Sequence, residues 1–153
     1  MKRHTIFPLV LMLFSLSSIS MAKAADDPIA IIVNKANPKT GILSTELKRI
    51  YNGRTKKWPN GNKMVIINRP IDSEIRARFY RTILDAKPTK KFFKSKSPLT
   101  FKVMQLKSGL ATRKFVAHIP NAIGFIYLSE VDETVKVLKI DDLMPKDEDY
   151  VLK

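Results

Sequence analysis

Four short apolar runs constrain the fold of this chain more than any other feature of its sequence. They are rich in isoleucine and valine, and they occupy residues 28–33, 64–67, 122–127 and 135–140. The first run shows no alternation of polar and apolar residues, which is typical of a strand covered on both faces in a parallel or mixed sheet. All four runs are therefore predicted to be strands.

Helical patterns separate these runs. One covers Ser44–Tyr51, with Ser44 as its cap residue, a longer one opens at Ser73, and a third follows Ser108; serine is a typical helix N-cap. The residues of the third pattern that are predicted to face inward are Leu110, Phe115, Val116 and Ile119. Strands separated by helices of about ten residues predict a single α/β domain, with a mixed, mostly parallel sheet flanked by helices.

The first 24 residues have the organisation of a secretory signal peptide. Lys2 and Arg3 precede an apolar run over residues 6–16, and Ala22-Lys23-Ala24 then offers a cleavage site. The strongly apolar core is shorter than the roughly 20 residues that span a bilayer, which favours cleavage over an uncleaved anchor. We therefore expect residues 25–153 to form the mature domain, located in the periplasm and not spanning the membrane. The chain has no cysteine, so its core alone must stabilise it.

The charge of the chain is strongly positive and unevenly distributed. The full sequence carries a net charge of +14, and eight of its 14 acidic residues follow residue 129. Such a surface attracts anions, which leaves phosphate-like solutes, anionic envelope lipids and nucleic acid open as partners, beside a basic face that is merely solvated. The uneven distribution predicts one basic region and not a uniformly basic surface.

The sequence offers no motif for catalysis, for a metal or for a cofactor. His118 has no cysteine or second histidine in the mature chain with which to bind a metal, and it lies near a predicted helix end, where the macrodipole favours a cation. The five glycines are scattered and do not form a phosphate-binding loop. We therefore expect no catalytic residues, no metal, no cofactor and no enzyme activity.

The junction between the second strand and the second helix combines three features of an anion site. Arg69 precedes Ser73 by four residues, Arg76 follows it by three, and the helix N-terminus supplies unpaired N–H groups and a partial positive charge. An arginine fork suits an oxyanion in two-point contact. The alternative is that Ser73 only caps its helix, with Asp72 or Glu74 near the positive end of the dipole.

Four segments in this order resemble the phosphate-binding proteins of bacterial phosphate ABC importers, in the type 2 periplasmic-binding-protein superfamily. They are Ile31–Asn34, Leu43–Gly53, Arg69–Phe79 and Val116–Tyr127, and the last ends in Pro-Asn-Ala-Ile-Gly-Phe-Ile-Tyr, similar to the family's "PGAIGY" element. The resemblance implies a periplasmic-binding-protein-like domain. Family members have two lobes, and this chain lacks the segment that opens the other lobe. The resemblance therefore implies a single-lobe form.

The resemblance also implies a ligand and its binding residues. In the family the segment after the strand reads roughly R-S-D-G-S-G-T, and its Arg, its Ser and the following N–H groups hold phosphate. Arg69 and Ser73 keep these places, while Glu74 and Ile75 replace the Gly and Thr. We therefore expect weak binding of phosphate or a similar oxyanion by Arg69 and Ser73, with Arg76 as an added charge, in a phosphate-transport setting.

A second hypothesis is an interaction protein without a solute site. It would dock on an envelope protein or an anionic surface through a basic face that we define as Lys56, Lys57, Lys90, Lys91, Lys94 and Lys96. The acid at Glu74, beside the expected anion site, favours this hypothesis. We expect no nucleic-acid partner in either case.

Overall fold

The computed structural model describes residues 27–93 and 102–153. The predicted signal peptide, Lys94 and Lys96 lie outside these residues. The strands are β1 (Ile29–Asn34), β2 (Gly41–Ile42), β3 (Val65–Asn68), β4 (Lys102–Gln105), β5 (Ala122–Tyr127) and β6 (Val135–Ile140). The helices are α1 (Ser44–Tyr51), α2 (Glu74–Phe79) and α3 (Gly109–His118), with a π-helical turn at Tyr80–Leu84 and a 3₁₀ turn at Leu128–Glu130. None of these helices is long and apolar enough to cross a membrane.

The six strands form one mixed sheet in the order β2-β6-β1-β5-β3-β4. The central strand β1 runs antiparallel to β5 and β6, while the other three pairings, β2 with β6 and β3 with both β4 and β5, are parallel. This confirms the predicted mixed, mostly parallel sheet and all four predicted strands. The two-residue strand β2 was not predicted, because so short a segment shows no periodicity.

Both faces of the sheet are covered, as the unalternating run in β1 predicted. On one face α1, α2 and the π-helical turn bury an aromatic cluster, in which the Phe79 and Phe125 rings stack with centroids 4.3 Å apart and Tyr51 meets Phe79 edge-on at 4.7 Å. On the other face α3 packs Val116 against Ile67 and Ile126. Because the helices on both faces are anchored in the core, their N-termini have fixed positions relative to the sheet.

Two local predictions are wrong. Leu110 was expected to face inward, but 48% of its surface is exposed, because α3 turns Thr112 and Val116 toward the sheet. Ser44 was expected to cap α1, but the N-cap is Leu43, and Ser44 is the first helical residue. The N–H of Ser44 donates instead to Oδ1 of Asp141, at 2.9 Å.

Candidate anion-binding site

The candidate site lies at the carboxyl edge of the three parallel strands β5, β3 and β4. Arg69 follows the last residue of β3, Lys107 lies just beyond β4, and Glu130 ends the 3₁₀ turn that follows β5. The N-termini of α2 and α3 begin from the same edge. In open α/β sheets, ligands bind outside the carboxyl ends of parallel strands, so the topology alone favours this edge as a binding site.

Arg69 is the least satisfied charged group at this edge. Only 7% of its surface is exposed, and its Nη2 donates to the carbonyl of Lys107 at 3.1 Å. Its Nε and Nη1 atoms are buried and have no hydrogen-bond partner among the described residues. Burial lowers the pKa of Arg69 from its ordinary value, and the nearby Glu130 carboxylate and Tyr127 oppose that shift. An arginine is always protonated in proteins, so these two nitrogens remain donors for an anionic partner.

A ring of contacts holds the Arg69 backbone in place. The Arg69 N–H donates to Oδ1 of Asn68 at 2.9 Å, and Nδ2 of Asn68 donates to the Tyr80 hydroxyl at 2.7 Å. The guanidinium of Arg76 lies over the Tyr80 ring, 4.3 Å from its centroid, and its Nη1 donates to the Arg69 carbonyl at 2.8 Å. Arg76 also donates from Nε to the Pro88 carbonyl. The structure thus places Arg76 next to Arg69, with its guanidinium already engaged by two carbonyls.

Ser73 lies at the start of α2, as predicted, but its side chain does not cap the helix. The hydroxyl donates to the Pro70 carbonyl at 2.7 Å, and the side chain accepts no N–H from the first turn. The first bond of the helix runs from the Ala77 N–H to the Ser73 carbonyl at 3.1 Å. The N–H groups of residues 74–76 therefore keep their free hydrogen-bonding capacity. The carboxylate of Glu74 is exposed and makes no hydrogen bond to them in the described part of the chain.

The start of α3 is capped in the usual way and carries a further acid. The Ser108 hydroxyl accepts the Ala111 N–H at 3.1 Å. The Glu130 carboxylate lies directly against Gly109, because a Cβ placed on that glycine would come within 2.1 Å of Glu130 Oε2. Sequence reasoning did not single out Glu130, since its closeness to Gly109 and Arg69 depends on contacts between distant parts of the chain. The Ser-Gly pair that opens α3 was the only local signal.

His118 and the single tryptophan, Trp58, both lie in contacts that support the fold. His118 is exposed at the end of α3, with Nδ1 at 2.7 Å from the Lys114 carbonyl. Trp58 is buried, and its indole N–H donates to the Asn121 carbonyl at 3.1 Å, so it is a core residue and not an exposed stacking platform. Within residues 27–93 and 102–153, no three His, Cys, Asp or Glu side chains cluster as metal ligands.

The sheet has helices on both faces, and at its carboxyl edge a buried arginine with unpartnered nitrogens lies just before the start of α2. The family model of the PBP superfamily domain matches residues 18–150, and the chain belongs to that superfamily. The predicted resemblance is therefore confirmed.

Individual relatives are phosphate-binding proteins. The chain is 32% identical to the phosphate-binding protein PstS of Bacillus subtilis over 137 residues, an alignment that covers 82% of this chain and 42% of the relative. Among solved structures it resembles an ABC-type phosphate transport receptor from Vibrio cholerae, with 28% identity, a TM-score of 0.64 and coverage of 78% of this chain and 48% of the receptor.

A second solved structure, from Clostridium perfringens, is described as a putative phosphate ABC transporter substrate-binding protein with bound phosphate. It shares 27% identity with this chain at a TM-score of 0.62, and the match covers 78% of this chain and 47% of that protein. This chain thus spans about half the length of the relatives that it matches.

Proposed function

We propose that this protein is a periplasmic, non-catalytic binding protein that holds phosphate or a similar oxyanion at the carboxyl edge of its parallel strands. Export depends on the predicted signal peptide over residues 1–24. Arg69 supplies the fork, and the N–H groups of residues 74–76 supply further donors. Ser73, whose hydroxyl donates to the Pro70 carbonyl, holds the start of α2 in place, and Arg76 adds positive charge while it holds the Arg69 carbonyl. The relatives that are named for phosphate binding support this ligand class.

The observation that carries the proposal is the pair of unpartnered nitrogens on the buried Arg69. A buried charge without partners is costly, so a site of this kind is better satisfied with an anion than without one. Two charge-assisted hydrogen bonds stabilise a complex by about 4 kcal/mol, which corresponds to a Kd of about 1 mM.

Titration of the protein with sodium phosphate, followed by ¹⁵N–¹H NMR spectra, tests this function. We expect saturable shifts of the N–H signals of residues 73–76, and sulfate should produce similar shifts. Arg69→Ala should weaken phosphate binding at least tenfold, because it removes the fork. Arg81→Ala is the matched control, since Arg81 is an exposed arginine on the π-helical turn.

The comparison of the two variants separates a site from a general charge effect. Arg81→Ala should bind phosphate as the wild type does, within about twofold. Equal weakening in Arg69→Ala and Arg81→Ala would reduce the binding to unspecific attraction. No saturable shift in the wild type would refute the proposed function.

A second candidate function is docking through the basic face on an envelope protein or an anionic surface. Gly53 packs against Phe93, with 3.3 Å from an added Cβ to the Phe93 ring, and this brings the loop that holds Lys56 and Lys57 toward the segment that holds Lys90 and Lys91. All four lysine side chains are exposed. Clustered exposed lysines favour a partner with many negative charges.

Sedimentation with vesicles that contain anionic phosphatidylglycerol tests the docking function. Binding should weaken steeply between low and high salt, and a variant with Lys56, Lys57, Lys90 and Lys91 changed to Gln should lose it. Arg69→Ala should leave it unchanged. Vesicle binding that survives the four-lysine variant would exclude the basic face as the docking surface.

A further inference from the structure

Glu130 is held at the positive end of α3 by its own chain. Its Oε2 accepts the Tyr127 N–H at 3.1 Å, and the carboxylate occupies the space that a side chain at position 109 would fill. Gly109 is the first residue of a ten-residue helix, where unpaired N–H groups and the helix dipole favour a negative charge. The carboxylate thus already occupies a place that suits an anion.

Two arginines, Arg69 and Arg113, lie near the Glu130 carboxylate. The other nearby cation, Arg113, donates to the main-chain carbonyl of Glu130 and forms its ion pair with Asp132, at 3.1 Å between Nε and Oδ2. The charge of Glu130 acts on Arg69, yet no ion pair within 4.0 Å joins the two in the described residues. Arg69 therefore keeps two buried nitrogens without a hydrogen-bond partner in the described residues, in the field of a fixed negative charge.

We infer that Glu130 is an internal competing anion, which lowers the affinity of the Arg69 site for oxyanions. This inference rests on the proposed oxyanion site and names its regulation. Arg69 bonds to the carbonyl of Lys107, two residues before the Gly109 that the Glu130 carboxylate contacts, so an oxyanion bound by Arg69 lies in the field of that carboxylate and is repelled by it. At the effective dielectric of a protein surface, this repulsion weakens binding by at least about tenfold for charges up to roughly 12 Å apart.

Glu130→Gln tests the inference, because it removes the charge and keeps an oxygen that can accept the Tyr127 N–H. The probes are sodium sulfate and sodium phosphate, each titrated under the same NMR conditions. We expect Glu130→Gln to bind both anions about tenfold more tightly than the wild type does. Glu133→Gln is the matched control, since it removes the same charge from an exposed side chain three residues away and should change affinity by less than twofold.

Glu130→Ala is a second variant that removes the charge, and thermal melts of both variants check that they are folded. The alanine variant should also bind more tightly, and both variants should unfold in a single cooperative transition. Binding by the variants but not by the wild type would support the inference and refute the proposed function of the wild-type protein. Wild-type binding that is unchanged or weakened in Glu130→Gln would overturn the inference and leave the proposed function standing. No binding by the wild type or by either variant would overturn both.

Discussion

Arg69 and Arg76 lie seven residues apart on the same strand-to-helix connection, and both are more than nine-tenths buried. Burial lowers the pKa of both groups. Their hydrogen bonds differ: Arg76 donates from two nitrogens to carbonyls at 2.8 Å and lies over the Tyr80 ring, whereas Arg69 donates from one nitrogen to one carbonyl at 3.1 Å. The same residue type therefore stabilises the connection at one position and is a buried donor without enough partners at the other.

The difference shows what separates a binding residue from a supporting one. A buried cation whose donors are all engaged stabilises the fold and offers a ligand little. A buried cation with open donors costs stability until an anion arrives. Neither burial nor the direction of the pKa shift distinguishes the two arginines. The number of nitrogens that already donate a hydrogen bond tells the binding residue from the supporting one.

Stability measurements on the two alanine variants give the largest expected contrast. Arg76→Ala should lower the free energy of unfolding by roughly 3 kcal/mol, because it leaves the carbonyls of Arg69 and Pro88 without their charged donor and removes the ring contact with Tyr80. Arg69→Ala should change it by less than about 1 kcal/mol, because the lost bond to Lys107 is offset by the loss of a poorly partnered buried charge. Urea unfolding measures both.

The unfolding of Arg69→Ala and Arg76→Ala tests whether the two arginines have different roles. Arg69→Met, which keeps the apolar part of the side chain, controls for packing and should behave as Arg69→Ala does. If Arg69→Ala proves as destabilising as Arg76→Ala, Arg69 is a second brace and the distinction between the two arginines is wrong.

Tyr80→Phe gives a smaller effect and sharpens the comparison. The variant keeps the ring beneath Arg76 but removes the hydroxyl that accepts Nδ2 of Asn68 at 2.7 Å. A buried amide without its acceptor costs about 1–2 kcal/mol in the free energy of unfolding, measured by urea titration. Phosphate affinity should fall a few-fold, because Asn68 also holds the Arg69 N–H.

A second Tyr→Phe variant controls for the loss of a buried hydroxyl. Tyr150→Phe also removes a buried hydroxyl, which donates to the Ile29 carbonyl at 2.9 Å, but it leaves the contacts of Asn68 in place, so it should lower the free energy of unfolding without lowering phosphate affinity. Unchanged stability in Tyr80→Phe would show that the hydroxyl contributes nothing to the ring of contacts around Arg69.

The sheet and most helices were predictable, because their signals are local. The bounds of α1, β5 and β6 agree with the predicted segments, since each has apolar residues at a clear spacing with a stop signal after it. Leu110 was misplaced because the start of a helix has no preceding turn to fix which face is buried. The cap of α1 was misplaced because Asp141, which bonds to the Ser44 N–H, is almost a hundred residues away in the sequence.

The candidate site was predictable only in part. Arg69 and Ser73 could be identified from their position between a strand and a helix, and the ligand class follows from the resemblance. The separate roles of Arg69 and Arg76 depend on Pro88, Tyr80 and Lys107, whose approach only the folded chain defines. The place of Glu130 against Gly109 is likewise a product of the packing between α3 and the turn after β5.

The position of β1 in the sheet determines when the chain can acquire its structure. Both partners of this central strand follow it by at least ninety residues, and the Ile29 N–H bonds to the Leu152 carbonyl at 2.8 Å. Closing such long loops costs chain entropy before the pairing compensates for it, so topologies of this kind fold slowly. A nascent chain that has emerged only as far as α3 cannot yet pair its central strand. We therefore expect the central strand to join the sheet only after β5 and β6 have left the ribosome.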